Sequence, residues 1–189
     1  MRSKLVTKTV LASFAIGFLF GSTPSIAEVE CHHVKGKILN SSHIPALGNY
    51  GGMGGVSTVG VVALNGGNTY GKMKCALVGV QAGEGETPPG SPFGPLPDFT
   101  HTISCDDSVD VVGVGTVHSQ LTFDTSGYFT GFDGVSNLYF TETSIPRDGS
   151  GVGAFAGTSS GSLTIEGTLN FLTGSIDMKL DGDICNDVE

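Results

Sequence analysis

The chain reads as all-β, with end strands matched to close it into an antiparallel barrel. The clearest sign is the stretch from Gly151 to Cys185, where two strands alternate apolar and polar residues almost without fault. Successive strand side chains point to opposite faces, so such alternation gives one core face and one solvent face. Past residue 27, no stretch of eleven residues carries the spacing of an amphipathic helix. Thirty glycines and eight prolines punctuate short runs rich in Val, Ile, Thr, Phe and Tyr, the usual composition of strands and their turns.

Residues 1–27 stand apart from the fold. Arg2, Lys4 and Lys8 give a basic start, Val10 to Phe20 is apolar apart from Ser13 and Gly17, and Ser25-Ile26-Ala27 offers small residues for cleavage. This is the pattern of a secretory signal, and its apolar run is too short to span a bilayer. Glu28-Val29-Glu30 before Cys31 lacks the small residues that lipid anchoring of that cysteine needs. The expected location is outside the cytoplasm, periplasmic or extracellular.

Residues 28–189 form one domain large enough for a core. They hold six Lys and Arg against eighteen Asp and Glu, a formal charge of −12. So acidic a surface repels phosphate backbones and argues against nucleic acid or an anionic membrane surface as partner. No transmembrane segment is expected.

The strands expected in order are 32–39, 57–64, 69–80, 98–105, 110–123, 128–132, 136–144, 152–156, 161–169 and 174–185. In the last hairpin Leu163, Ile165, Leu169 and Phe171 share one face, with Gly167 in phase. After a turn near Thr173-Gly174, Ile176, Met178, Leu180 and Ile184 point in, while Asp177, Lys179, Asp181 and Asp183 point out. A one-residue slip would bury those charges, so the register is firmly set.

Four cysteines allow three pairings. Export and an even count favour disulfides, and no Cys-x-x-Cys spacing suggests zinc or redox chemistry. Laying the first strand antiparallel to the last sets Cys31 opposite Cys185, His33 opposite Asp183 and Lys35 opposite Asp181. Those cross-strand charge pairs contribute about 0.2–1 kcal/mol each. The same register sets Lys37 against Lys179, a mild cost that Asp177 or Asp181 can screen. Folding back around the loop QAGEGETPPGSPFGPLPD sets Cys75 opposite Cys105, both in phase with apolar neighbours. The expected bridges are therefore Cys31–Cys185 and Cys75–Cys105. The 81–98 loop, with five prolines, reads as a semi-rigid rim loop. The glycine-rich run around Tyr50 reads as a second loop.

The turn Gly151, Gly153, Phe155, Gly157, leading through Gly161 into LTIEGTL and then LTGSIDMKLDGDIC, resembles the C-terminal signature of the allene oxide cyclase barrel-like family. That family is related to the dirigent proteins. The upstream TFDTSGYFTGFDGVSNLYFTETSI also resembles strands of its small exported bacterial members, so the likeness covers roughly residues 110–185. It implies a closed antiparallel barrel of about eight strands with a ligand-sized interior, a homotrimer, and in some relatives isomerisation or cyclisation of a small apolar molecule. None of the plant cyclases' catalytic residues is carried over onto this chain. Barrels of that size have interiors filled by side chains or able to hold one ligand.

Two ionisable residues lie in phase with apolar faces. His101 follows Phe99 and precedes Ile103; Glu142 follows Leu138 and Phe140. Inside a barrel either could do acid–base work. The plainer reading makes His101 a hydrogen-bonded core residue and puts Glu142 near a strand end, exposed at the rim. Gly157-Thr158-Ser159-Ser160-Gly161 matches the serine-hydrolase string, but a strand follows it where the nucleophile elbow needs a helix. His32, His33, His43, His101 and His118 show no metal-binding spacing, and the glycine runs have no Walker lysine. Asn40-Ser41-Ser42 is a glycosylation sequon, relevant in a eukaryotic host. No cofactor is expected.

The sequence thus supports an exported, disulfide-bonded barrel that binds a small apolar molecule, with isomerase or cyclase chemistry at His101 and Glu142 as the enzymatic form. Its competitor is a non-catalytic envelope or secreted interaction protein with a packed barrel. A secreted effector acting on a host is a third reading, resting on the export signal alone. An open apolar interior with convergent polar groups favours the first; a filled one favours the second.

Overall fold

The structure, a computed structural model, describes residues 28–45 and 56–188. The signal-like segment and the glycine-rich run around Tyr50 lie outside the described residues. Eight strands run in chain order: β1 (Glu28–Pro45), β2 (Val56–Asn65), β3 (Lys72–Gln81), β4 (Phe99–Val111), β5 (Gly115–Phe132), β6 (Asn137–Pro146), β7 (Thr158–Asn170) and β8 (Ser175–Val188). Each pairs antiparallel with the next, and β8 pairs with β1 to close the barrel. One helical turn, α1 (Gly67–Tyr70), joins β2 to β3, and a 3₁₀ turn (Gly153–Phe155) joins β6 to β7. No helix among the described residues is long and apolar enough to cross a membrane.

Alternation carries the wall. On β3, Met73, Cys75 and Leu77 are buried while Lys72, Lys74, Ala76 and Val78 face out, and β8 repeats the pattern with Met178, Leu180 and Ile184 inside. The closing seam has the expected register: Cys31 faces Cys185, His33 faces Asp183, Lys35 faces Asp181 and Lys37 faces Lys179. Cys31–Cys185 bridges that seam on the outer face, and Cys75–Cys105 ties β3 to β4 inside. His33 lies between Asp183 at 3.1 Å and Asp181 at 3.2 Å.

Several elements differ from the sequence expectation. Residues 115–132 form one strand, where a break at 124–127 was expected, and a bulge between Phe129 and Gly131 bends its end. Thr69 and Tyr70, expected to begin the strand 69–80, lie instead in the helical turn Gly67–Tyr70. The expected strand 152–156 is the 3₁₀ turn, attached to β5 by a single Gln120–Val152 bridge. Gly153 and Gly157 have φ of 67° and 80°, and so break the extended backbone that their neighbours' alternation suggests. Phe171 lies beyond β7, in the turn to β8.

The two ends of the barrel differ. At the end holding the chain's described termini, Tyr70 from α1 and Phe155 from the 3₁₀ turn are fully buried and stack at 4.6 Å. Burial pushes the Tyr70 phenol up to about 12. Asn186 stands near its hydroxyl and offsets part of that shift. It does not reach hydrogen-bond geometry: among the described residues Tyr70 Oη has no partner, and Asn186 Oδ1 accepts from Thr158 Oγ1 at 2.9 Å. Above this plug, side chains such as Leu121, Phe123, Ile103, Leu163 and Ile165 fill the lumen. Among the described residues, the opposite end is open.

Candidate functional site

The cavity in the open end begins where the interior side chains become small. One interior row runs Thr58, Gly79, His101, Thr125, Ser144 across β2 to β6. The next row toward the mouth sets Phe99, Gly127 and Glu142 side by side on β4, β5 and β6. A Cβ at Gly79 would fall inside the His101 ring, and one at Gly127 would collide with Glu142 Cγ. The two glycines are therefore the seats of the two ionisable side chains. Small-against-large alternation of this kind is how a narrow barrel fits bulky interior groups.

Those seats bring His101 and Glu142 together. His101 Nδ1 lies 2.8 Å from Glu142 Oε2, and the side chains are 8% and 0% exposed. Glu142 is thus a buried mid-strand residue, not a rim one: β6 continues to Pro146, past the expected strand end at 144. A carboxyl oxygen at Nδ1 favours the tautomer with the ring proton there, which leaves Nε2 as the ring's other nitrogen. No group among the described residues hydrogen-bonds Nε2, whose edge of the ring lies over Gly79. Both His101 and Gly79 line the cavity. Beside the pair, Thr125 Oγ1 and Ser144 Oγ bond each other at 2.7 Å, both buried. Among the described residues Glu142 Oε1 is buried with no hydrogen-bond partner, an unusual state for a carboxylate oxygen.

Above this polar floor the walls are apolar. Phe99, Phe129, Phe140 and Leu138 line a cavity of about 190 Å³, with Leu96 and Pro97 of the 82–98 loop at its mouth. The Phe99 ring sits 5.3 Å from His101, 5.1 Å from Phe129 and 5.7 Å from Phe140. The loop is anchored: Pro89 accepts from the Phe132 amide at 3.2 Å, and Phe93 packs edge-on to Phe132 and Phe171. An apolar cavity of about 150 Å³ holds benzene, so this one takes roughly eight non-hydrogen atoms.

The other sequence candidates lie elsewhere. Ser159 is exposed on β7, where its hydroxyl donates to Asp187 at 2.9 Å, and a strand continues after it where the elbow needs a helix. His118 is exposed near Asp106, and His32 contacts Glu30 and Thr69 at the plugged end. The His43 side chain lies outside the described residues. No cluster of metal-ligating side chains forms among the described residues. The motif residues Gly151, Gly153, Phe155, Gly157 and Gly161 build the plug, far along the strands from the cavity. No motif singles out Thr125, Ser144, Gly79 or Gly127; their shared sequence signal is small or hydroxyl residues at interior-phase positions.

No protein-family model, no curated protein and no solved structure gives a significant match to the chain.

Proposed function

We propose that this is an exported, disulfide-braced barrel that takes a small apolar molecule into its open end and moves a proton on it through His101. The buried His101–Glu142 pair at the floor of an apolar cavity carries this reading. His101 Nε2 removes a proton from a carbon acid of the bound molecule and returns it to another atom of the same molecule. The outcome is an isomerisation or cyclisation without a co-reactant. Glu142 positions the imidazole and stabilises its charge while the proton is held. Walls of phenylalanine exclude water from the intermediate. The resemblance to the allene oxide cyclase barrel-like family points the same way. The open interior favours this reading over a packed interaction module, and the two disulfides fit an oxidising compartment.

Native mass spectrometry of protein isolated from its own host tests binding: one retained small molecule per chain is expected, and the subunit count, three by the resemblance, comes with it. Proton transfer is tested by deuterium exchange into small enolisable ketones and enals in heavy water. His101→Gln should abolish exchange, and Glu142→Gln should slow it by about 10²–10⁴, the usual weight of a positioned acid–base group. Exchange that survives His101→Gln in a folded variant rules the mechanism out.

A further inference from the structure

Five of the six Lys and Arg in residues 28–189 stand on one outer wall of this acidic barrel: Lys35 and Lys37 on β1, Lys72 and Lys74 on β3, and Lys179 on β8. All are exposed. The register sets Lys179 against Lys37, Lys37 against Ala63, and Ala63 against Lys74; one step along, Asn65 lies between Lys35 and Lys72. The lysines surround a shallow groove over Ala63 and Asn65. Asp107 and Asp177 border it, Glu166 stands opposite Lys179, and Asp181 pairs with Lys35 at 3.2 Å. Among the described residues, Lys37, Lys72, Lys74 and Lys179 make no ion pair.

Lysines directly opposite each other destabilise a sheet, and a surface built only for solubility disperses its charges. Gathering nearly every cation on one wall needs another reason. The same wall continues toward the barrel mouth as an aliphatic strip. Leu39, Val59, Val61, Val78 and Val80 are 37–53% exposed, and Val59 lies directly across from Val78. The strip ends at Val80, which lines the mouth of the cavity.

We propose that this wall docks on an anionic lipid surface, its lysines among the headgroup phosphates and its valines at the acyl boundary. A wholly hydrophilic polyanion would leave the aliphatic strip in water, and an uncharged apolar partner would have to strip water from the lysines. An anionic lipid surface satisfies both halves. The net charge of −12 argues against such a surface only at a distance, because fields fade within a Debye length of about 8 Å at physiological salt. Over the groove itself the five lysines outnumber the four carboxylates Asp107, Glu166, Asp177 and Asp181, a local charge of +1 within a strongly acidic barrel. This docking stands independently of the chemistry at His101.

The test is co-sedimentation of protein isolated from its own host with two vesicle types: phosphatidylcholine alone, and phosphatidylcholine with roughly one-third phosphatidylglycerol. Binding to the anionic vesicles only, weakened by salt, is expected. A lysine near such a surface is worth about fivefold in partitioning, so Lys37→Gln/Lys74→Gln/Lys179→Gln together should weaken binding about a hundredfold. Ser126→Glu/Thr130→Glu/Thr143→Glu changes net charge equally on the β5–β6 wall and should leave binding unchanged. Val59→Ser/Val78→Ser should weaken it separately. Equal binding to both vesicles, no binding to either, or displacement by inorganic phosphate at matched phosphate concentration each overturns the proposal. So does retention on a sulfated polysaccharide without vesicle binding.

Discussion

Gly79 shows how much of the site depends on atoms that are missing from side chains. His101 can lie flat over β3 only because its partner there has no Cβ, and Glu142 can cross β5 to reach it only because position 127 is glycine. Gly79→Ala should therefore displace the imidazole from the cavity floor. We expect a loss of about 1–3 kcal/mol in urea unfolding, as for other overpacked interiors, together with loss of proton exchange. Ala76→Gly on the outer face of the same strand should keep the exchange, which separates loss of the seat from general weakening of β3. The parity of His101 and Glu142 with their apolar neighbours was legible in the sequence. Their contact was not. It depends on the registers β4–β5 and β5–β6 together, and the expected strands 110–123 and 128–132 leave Gly127 in the gap between them, whereas it is an interior position crossed by a neighbour's side chain. The unpartnered Glu142 Oε1 had no sequence signal at all, since partners are a property of the packed interior.

Among the elements, the seam between β1 and β8 joins the most distant parts of the chain, and the cross-strand charges flanking Cys31 and Cys185 made it readable in advance. Strands of charged outward residues have one tolerable register, and cysteines in matching phase identify it. The 3₁₀ turn failed that kind of reading because Gly-Val-Gly-Ala-Phe mimics alternation while its glycine at 153 turns the backbone into the left-handed region. The two bridges differ in access. Cys31 is exposed and Cys185 nearly covered, whereas Cys75 and Cys105 are both 1% exposed inside the lumen. Mild reductant followed by alkylation and mass mapping should therefore label Cys31 and Cys185 first, with the barrel still folded. Cys31→Ser/Cys185→Ser frees a closure spanning 154 residues, for which chain entropy sets a stability loss of up to about 5 kcal/mol. Labelling of Cys75 and Cys105 first would mean that the lumen at their level is open to solvent.

At the scale of the whole molecule, the barrel is sealed at one end, packed through the middle and hollow at the other, and Tyr70 tests whether the seal governs the whole fold. Its hydroxyl is buried without a hydrogen bond among the described residues, and its pKa, raised by burial to about 12, exceeds the ordinary value of about 10. The unfolded chain therefore loses this proton at lower pH than the folded one. Stability linked to the phenol is whole below about pH 10 and is lost as pH rises toward 12. Tyr70→Phe keeps the stack on Phe155 while removing both the proton and the unpaired hydroxyl. It should raise stability at neutral pH by about 1 kcal/mol, since an unsatisfied buried polar group is a net cost. Followed by circular dichroism between pH 9 and about 12, the variant should hold its β signal where the parent begins to lose it. Coincident alkaline transitions in the two proteins would show that the stacked plug does not control opening of the closed wall.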